Sequence, residues 1–195
     1  MQNNKLKVLG VAGLSSSLKM ALKKWFLEGM SETVFLIDLD ELLEKLLEPG
    51  EEAHRQVLNF FGQEFFDKKE QVKKKKLWKF VFENQNKLKI LYYLLDPLLM
   101  DAVTKEIDLN KDKKVVVFAN SFLYEYWNQV FDKVFWLYTN KNEFLSILNE
   151  KDLPTSKENY FYVLEKVFVK PKNIEIVYLE KDFDKAISQI VENLK

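Results

Sequence analysis

Cysteine is absent from the chain, which removes both a disulfide framework and a thiolate metal centre. Histidine occurs once, as His54, so a zinc site would have to be built from carboxylates alone, and no zinc site is expected. Arginine is nearly missing as well: Arg55 is the only one among 30 basic side chains. Arginines for an active site are therefore scarce, and lysine can replace them as a point charge but not as a bidentate fork. Net charge is also lacking, because 30 acidic residues balance the 30 basic ones. A dedicated nucleic-acid binder shows a marked basic excess, so nucleic acid is not an expected partner. No stretch reaches the roughly 18 uninterrupted apolar residues of a membrane-crossing helix. The first residues, MQNNKLKVLGVAGL, lack the apolar core and cleavage site of a signal peptide, and a cytoplasmic location is expected. Gly/Ser-rich linkers and internal repeats are missing too, and 195 residues fit one domain.

What is present is an alternation of short apolar runs and amphipathic stretches. The runs at 6–12, 33–37, 114–119, 134–138 and 174–178 are almost continuously hydrophobic, as strands buried on both faces of a parallel sheet are. Helical periodicity occupies 17–29, 40–47, 53–61, 71–84, 86–107, 121–129, 141–149, 157–167 and 182–194. Strands alternating with helices predict an α/β fold, a doubly wound parallel sheet of about five strands with helices on both faces. Two regions break the alternation. Residues 40–113 are nearly all helical, too long for one crossover, and read as a helical insertion. Residues 142–167 form a second helical stretch turned at Pro154.

Ligands of such sheets bind beyond the carboxyl ends of the strands. The first strand ends in Gly10-Val11-Ala12-Gly13-Leu14-Ser15-Ser16-Ser17-Leu18-Lys19-Met20, followed by a helix. A phosphate-binding loop reads Gly, four residues, Gly-Lys, then Ser or Thr. Counted from Gly13, the lysine falls correctly at Lys19, but Leu18 replaces the second glycine and Met20 the hydroxyl. Leucine narrows the backbone's freedom and adds bulk where amides must wrap a phosphate. A thioether is a poor ligand for a hard cation such as Mg²⁺. Three serines, a lysine and a helix N-terminus still favour an anion; the alternative is an ordinary strand-to-helix turn with a solvated lysine.

Beyond the loop come Phe35-Leu36-Ile37-Asp38-Leu39-Asp40, then Leu47-Glu48-Pro49-Gly50, then Phe61-Gly62. Leu77-Trp78-Lys79-Phe80-Val81-Phe82-Glu83-Asn84, Leu94-Leu95-Asp96-Pro97-Leu98 and Val115–Ala119 with Ser121-Phe122-Leu123-Tyr124-Glu125 follow. This ordered series resembles the dephospho-CoA kinase family over roughly residues 5–180. The family phosphorylates the ribose 3′-hydroxyl of dephospho-CoA with ATP. The resemblance implies a three-layer P-loop kinase fold in one domain, with 40–113 holding the substrate and 142–167 forming the lid. It implies a nucleotide loop of Gly13, Leu14, Ser15, Ser16, Ser17, Leu18, Lys19 and Met20, with Lys19 and Asp38 as catalytic residues. Asp40, Asp96, Pro97, Tyr124 and Glu125 become candidates for substrate contact. Mg-ATP is the implied cofactor of an active enzyme, and a nucleotide or CoA-like molecule the implied ligand.

The departures from the family pattern carry equal weight. Beside Leu18 and Met20, the histidine before proline has become Asp96, and the later Asp and Pro have become Ala119 and Ser121. The expected Asp-Arg pair falls at Lys73-Lys74, and the lid offers only Lys151, Lys157 and Lys166 where the family carries arginines. Losing one charge-stabilising donor costs on the order of 10²–10³ in rate. Several such losses together point to a kinase reaction weakened or lost. Two other readings stand beside that one: a working kinase with an altered loop, and a non-enzymatic protein that uses the fold to bind a protein partner.

Four further features have plainer readings. Asp38 and Asp40 suit a helix N-cap as well as a catalytic or water-mediated metal role. The lysine run 73–76 reads as a solvated helix face, or as a patch for a CoA-type phosphate. His54 reads as a surface or capping residue. Trp25, Trp127 and Trp136 are expected in the core.

Overall fold

The computed structural model describes residues 8–13, 16–119, 127, 129–138, 141–147, 153, 155–167, 174–178 and 183–192. Five strands pair in one parallel sheet: β1 (Val8–Gly13), β2 (Val34–Asp38), β3 (Lys114–Phe118), β4 (Lys133–Tyr138) and β5 (Ile174–Tyr178). Their order across the sheet is β2-β3-β1-β4-β5, with every neighbouring pair parallel. The helices are α1 (Ser16–Gly29), α2 (Leu39–Leu46), α3 (Glu52–Phe61), α4 (Lys74–Phe82), α5 (Gln85–Leu109), α6 (Lys141–Ile147), α7 (Lys157–Val167) and α8 (Phe183–Glu192).

The chain divides into two compact units. One comprises Met1–Leu39, Val103–Phe144 and Phe168–Lys195; the other comprises Asp40–Ala102 and Leu145–Val167.

The first unit is the sheet and its helices. Side chains of successive strand residues point to opposite faces, and both faces of this sheet are buried. On one face, Leu9 and Val11 of β1, Val116 and Phe118 of β3, and Phe135 and Leu137 of β4 form a core with α1 and α8. Helix α1 contributes Leu22 and Phe26, four residues apart on one stripe, and α8 contributes Ile187 and Ile190. Phe26 lies edge-on to Phe118 at 6.1 Å between ring centroids. Val115, Val117, Val134 and Trp136, on the alternate positions, are equally buried. Gly10 belongs to that second set: a Cβ there would meet the Val134 side chain at 3.2 Å and the Phe131 ring at 3.3 Å, so a larger residue would require those neighbours to give way by a few tenths of an ångström. Trp127 is fully buried and stacked on Phe131, as expected of a core tryptophan. Trp25 is only half-buried, packed at the edge of the core against Phe26.

The second unit is helical. Gly50, in the turn between α2 and α3, and Gly62, which ends α3, have φ of +94° and +92°. Side chains with a Cβ avoid that region, so the Pro-Gly and Phe-Gly steps are backbone requirements. The helix expected from residue 71 begins at Lys74 instead. Val72 pairs with Phe66 in an isolated antiparallel bridge, and the Asp67 carboxylate accepts from the Lys69 and Gln71 amides, closing a turn. His54 corrects a second expectation, because it is buried rather than on the surface. Its Nε2–H donates to the Glu70 carbonyl at 2.6 Å, and its ring stands edge-on to Phe66. Glu70 has φ of +61°, unusual for a residue with a side chain, and the histidine holds that turn in place.

The lysine run is exposed, as expected of a solvated helix face, and it makes local surface contacts. Helix α4 opens on Lys74, Lys75 and Lys76 with no acid in its first turn, an unfavourable charge at the positive end of a helix. Lys74 pairs with Glu44 of α2 at 2.7 Å. Lys76 donates to the Glu64 carbonyl at 3.0 Å and lies 5.0 Å from the centroid of Phe65. These surface contacts of Lys74 and Lys76 offset part of the repulsion.

Candidate functional site

In a sheet of this order, β1 connects outward to β2 on one side while β3 leads across to β4 on the other. That reversal makes a crevice at the carboxyl ends of β1 and β3. The sequence-predicted loop opens there. Strand β1 ends at Gly13 and α1 begins at Ser16, so only two residues separate strand from helix. Ser16, Ser17, Leu18 and Lys19 already have helical backbone; their side chains are not among those described, and Leu14 and Ser15 lie outside the described residues. The first four amides of a helix have no partner within it, so Ser16–Lys19 present their N–H groups at the mouth of the crevice. Met20 follows on the helix with its side chain 70% exposed.

Asp38 ends β2, in register with Phe118 at the end of β3. It therefore shares the crevice edge with the loop, two strand spacings or roughly 10 Å across the sheet from β1. Its carboxylate is engaged from an unforeseen direction. Lys23, on α1 and four residues after Lys19, places Nζ 3.0 Å from Asp38 Oδ2. Both side chains are largely withdrawn from water, at 23% exposure for Lys23 and 10% for Asp38. Helix α1 reaches Asp38 because Phe26 and Leu22 seat it on the sheet over β3, the strand beside β2. Sequence reasoning missed Lys23. The available signal was its spacing, one helical turn beyond Lys19 on the helix that leaves the loop.

Together these residues are a poor match for the magnesium ion of phosphoryl transfer. The position that should offer a hydroxyl carries the Met20 thioether, a soft donor turned outward, and the nearby carboxylate already faces an ammonium. No three acidic or imidazole side chains converge among the described residues.

The remaining sequence-predicted residues lie in the other unit or beyond description. Asp40 sits in the first turn of α2, where an acid suits the helix dipole. Its charge acts on Tyr160 of α7: burial, and secondarily Asp40, push the Tyr160 phenol up to about 12. Tyr160 also stacks on Phe82 of α4, with ring centroids 5.2 Å apart and planes at 21°. Asp96 is buried within α5, and Pro97 continues the same helix without an N–H for the turn before it. Tyr124 and Glu125, with most of the helix expected at 121–129, lie outside the described residues. Of the three lysines proposed to replace lid arginines, Lys157 is committed elsewhere. Its Nζ donates to the Leu145 carbonyl at 2.9 Å, capping the last turn of α6. Lys151 lies outside the described residues, and the side chain of Lys166 is not described.

Comparison with known proteins gives this site its context. The family model for dephospho-CoA kinase matches residues 7–156. Among curated proteins the chain is similar to the dephospho-CoA kinase of Oceanobacillus iheyensis, with 27% identity over 154 residues, covering 77% of this chain and 76% of that protein. The match to the enzyme of Carboxydothermus hydrogenoformans is 29% over 103 residues, covering 52% of this chain and about half, 48%, of that protein. Among solved structures, dephospho-CoA kinase from Campylobacter jejuni aligns with a TM-score of 0.63 at 15% identity, covering 96% of each chain. A Thermus thermophilus protein aligns with a TM-score of 0.66 at 15% identity, covering 96% of this chain and 97% of that one. The solved structures speak to the fold, which is that of P-loop kinases. With the family model spanning residues 7–156, well over half of the sequence, the chain belongs to the dephospho-CoA kinase family.

Proposed function

We propose that this protein is a divergent dephospho-CoA kinase in which the family's reaction, ATP-dependent phosphorylation of the 3′-hydroxyl of dephospho-CoA, is weakened or lost. The observation that carries the reading is the strand-to-helix connection. In a phosphate loop, glycines let several amides wrap the phosphate before the helix starts, whereas here only two residues separate Gly13 from α1, and Leu18 stands where the second glycine would be. What remains is a helix N-terminus with a lysine in its first turn, able to attract an anion but without the wrapped cradle.

In this reading Gly13–Met20 is the nucleotide-facing segment and Lys19 its cation. Asp38 is the carboxylate nearest the acceptor hydroxyl; Asp40, Asp96, Pro97, Tyr124 and Glu125 belong to the substrate side. Phosphoryl transfer rests on positioning and on neutralising charge. In the family, magnesium bound with ATP supplies much of that neutralisation. Here Met20, the Lys23–Asp38 pair and the capping role of Lys157 each remove one means of supplying it. A nucleotide or CoA-like molecule remains the proposed ligand, and a cytoplasmic location the proposed setting.

The test is a coupled assay of dephospho-CoA phosphorylation by Mg-ATP, run beside a Lys19→Ala variant. The expected result is no turnover above the variant from folded protein. Turnover that disappears in the variant would show a working kinase and overturn the reading.

A further inference from the structure

The kinase reading leaves the lysine run of α4 without a role. From residue 73 to residue 89 the chain carries seven lysines against one acid, Glu83, although its total charge is zero. Beside the run lies a cluster of four phenylalanine rings in the helical unit. Centroid to centroid, Phe60 stands 5.0 Å from Phe61, Phe61 6.4 Å from Phe80, and Phe80 5.1 Å from Phe65. An ammonium flanks each end. Lys87 Nζ lies 5.2 Å from the Phe60 centroid, and Lys76 Nζ lies 5.0 Å from that of Phe65. Phe61 and Phe65 are buried, whereas Phe60 and Phe80 remain 46% and 39% exposed.

We propose that this face, Phe60 and Phe80 with Lys76 and Lys87, docks the protein on an anionic lipid membrane. Exposed apolar rings beside lysines suit the boundary between headgroups and acyl chains: the rings enter it while the ammonium groups stay among the phosphates. The charge at the start of α4 is complementary to such a surface. Lysines there oppose the helix dipole, and a layer of anionic headgroups offsets what the surface contacts of Lys74 and Lys76 leave. A membrane suits this chemistry better than an acidic peptide does. Lysine is a point charge matched to a diffuse field, whereas a defined carboxylate is best held by an arginine fork. The only arginine, Arg55, is bonded to Glu52 and to the Gly50 carbonyl. Because the whole chain is neutral, the attraction is local and turns α4 and the end of α3 toward the lipid.

The experiment is co-sedimentation of the full chain with vesicles of phosphatidylcholine alone, or with about 30% phosphatidylserine, in about 0.1 M salt. Binding is expected with the anionic vesicles only, and is expected to disappear in about 0.5 M salt. One lysine near such a surface contributes about fivefold, so Lys76→Gln/Lys87→Gln is expected to weaken binding about 25-fold. Phe60→Ser/Phe80→Ser, which keeps every charge, is expected to weaken it about tenfold or more. The lysine variant leaves the ring cluster in place, and an unchanged melting temperature for it separates lost binding from lost fold. Failure of the native chain to bind the anionic vesicles overturns the inference. So does equal binding to both kinds of vesicle, or binding that either double variant retains in full. Self-association removed by Phe60→Ser/Phe80→Ser, without vesicle binding, assigns the face to a second copy and overturns it. Binding of polyglutamate without vesicle binding assigns the face to an acidic protein and overturns it as well. None of these readouts involves turnover, so their failure leaves the proposed function standing.

Discussion

Tyr160 offers the sharpest quantitative check on how the helical unit is put together. Its phenol is raised from 10.0 to about 12 because the ring is mostly withdrawn from water against Phe82, with the negative charge of Asp40 adding to the effect. The consequence for stability follows from linkage. Below pH 10 the phenol is neutral in both the folded and unfolded chain and contributes no pH dependence. Between the unfolded value of 10 and the folded value of 12, the unfolded chain releases its proton while the folded chain keeps it. Stability therefore falls as pH rises through that window. At pH about 11.5 the loss amounts to about 2 kcal/mol, a ceiling because Tyr160 retains some exposure. In Tyr160→Phe the ring still stacks on Phe82 but carries no titrating proton. Urea unfolding of both proteins from pH about 9 to about 11.5 isolates the effect, because other tyrosines and lysines titrate equally in each. The difference in unfolding free energy between the two should shift by about 2 kcal/mol over that range, in favour of the phenylalanine variant at high pH. Asp40→Asn should recover part of the same shift. Parallel pH profiles for the native chain and Tyr160→Phe would refute the burial of this phenol and the docking of α7 on α4 that causes it.

Three further perturbations test the structural assignments. Lys157→Met removes the ammonium from the Leu145 carbonyl, and is expected to lower stability by about 1 kcal/mol and speed amide exchange in α6. His54→Ala leaves a buried cavity and frees the Glu70 carbonyl; a loss of about 2–4 kcal/mol is expected, with faster exchange of the Lys69 and Gln71 amides. Gly10→Ala pushes a methyl group against Val134 and Phe131 and should cost about 1–3 kcal/mol by overpacking.

The sheet was legible in the sequence because a parallel strand buried on both faces leaves a run such as Val115-Val116-Val117-Phe118 with no polar position to confuse it. Helix α7 matched its expected limits, and α3 fell within a residue of them, because an apolar stripe and a closing turn bound each one. Expectation failed where contacts distant in sequence decide local structure. Gln71 and Val72 fit a helical pattern, yet bridge formation with Phe66 and the Asp67 turn draw them out of it. His54 is polar and next to Arg55, which suggested the surface; a single carbonyl with positive φ at Glu70 gives its ring a partner inside. At the candidate site, Asp38 was visible as the acid that closes an apolar strand. The ammonium that meets it was not, because Lys23 is 15 residues away and only the seating of α1 on β3 brings the two together. Lysine at position 157 looked like a substitute for a lid arginine by charge alone, and only the fold shows it spent on a helix end.

The claim that the family's reaction is weakened or lost is tested most directly by a single-turnover experiment. The chain is held in excess over dephospho-CoA with saturating Mg-ATP, quenched over hours, and the 3′-phosphorylated product is separated and quantified. Excess protein removes any dependence on product release, so even a reaction slowed by many orders of magnitude registers. The prediction is product formation no faster than with Lys19→Ala. A single exponential rise to complete conversion in the native chain, abolished by Lys19→Ala, would contradict the account and show that a helix N-terminus with one lysine is enough to carry the transfer.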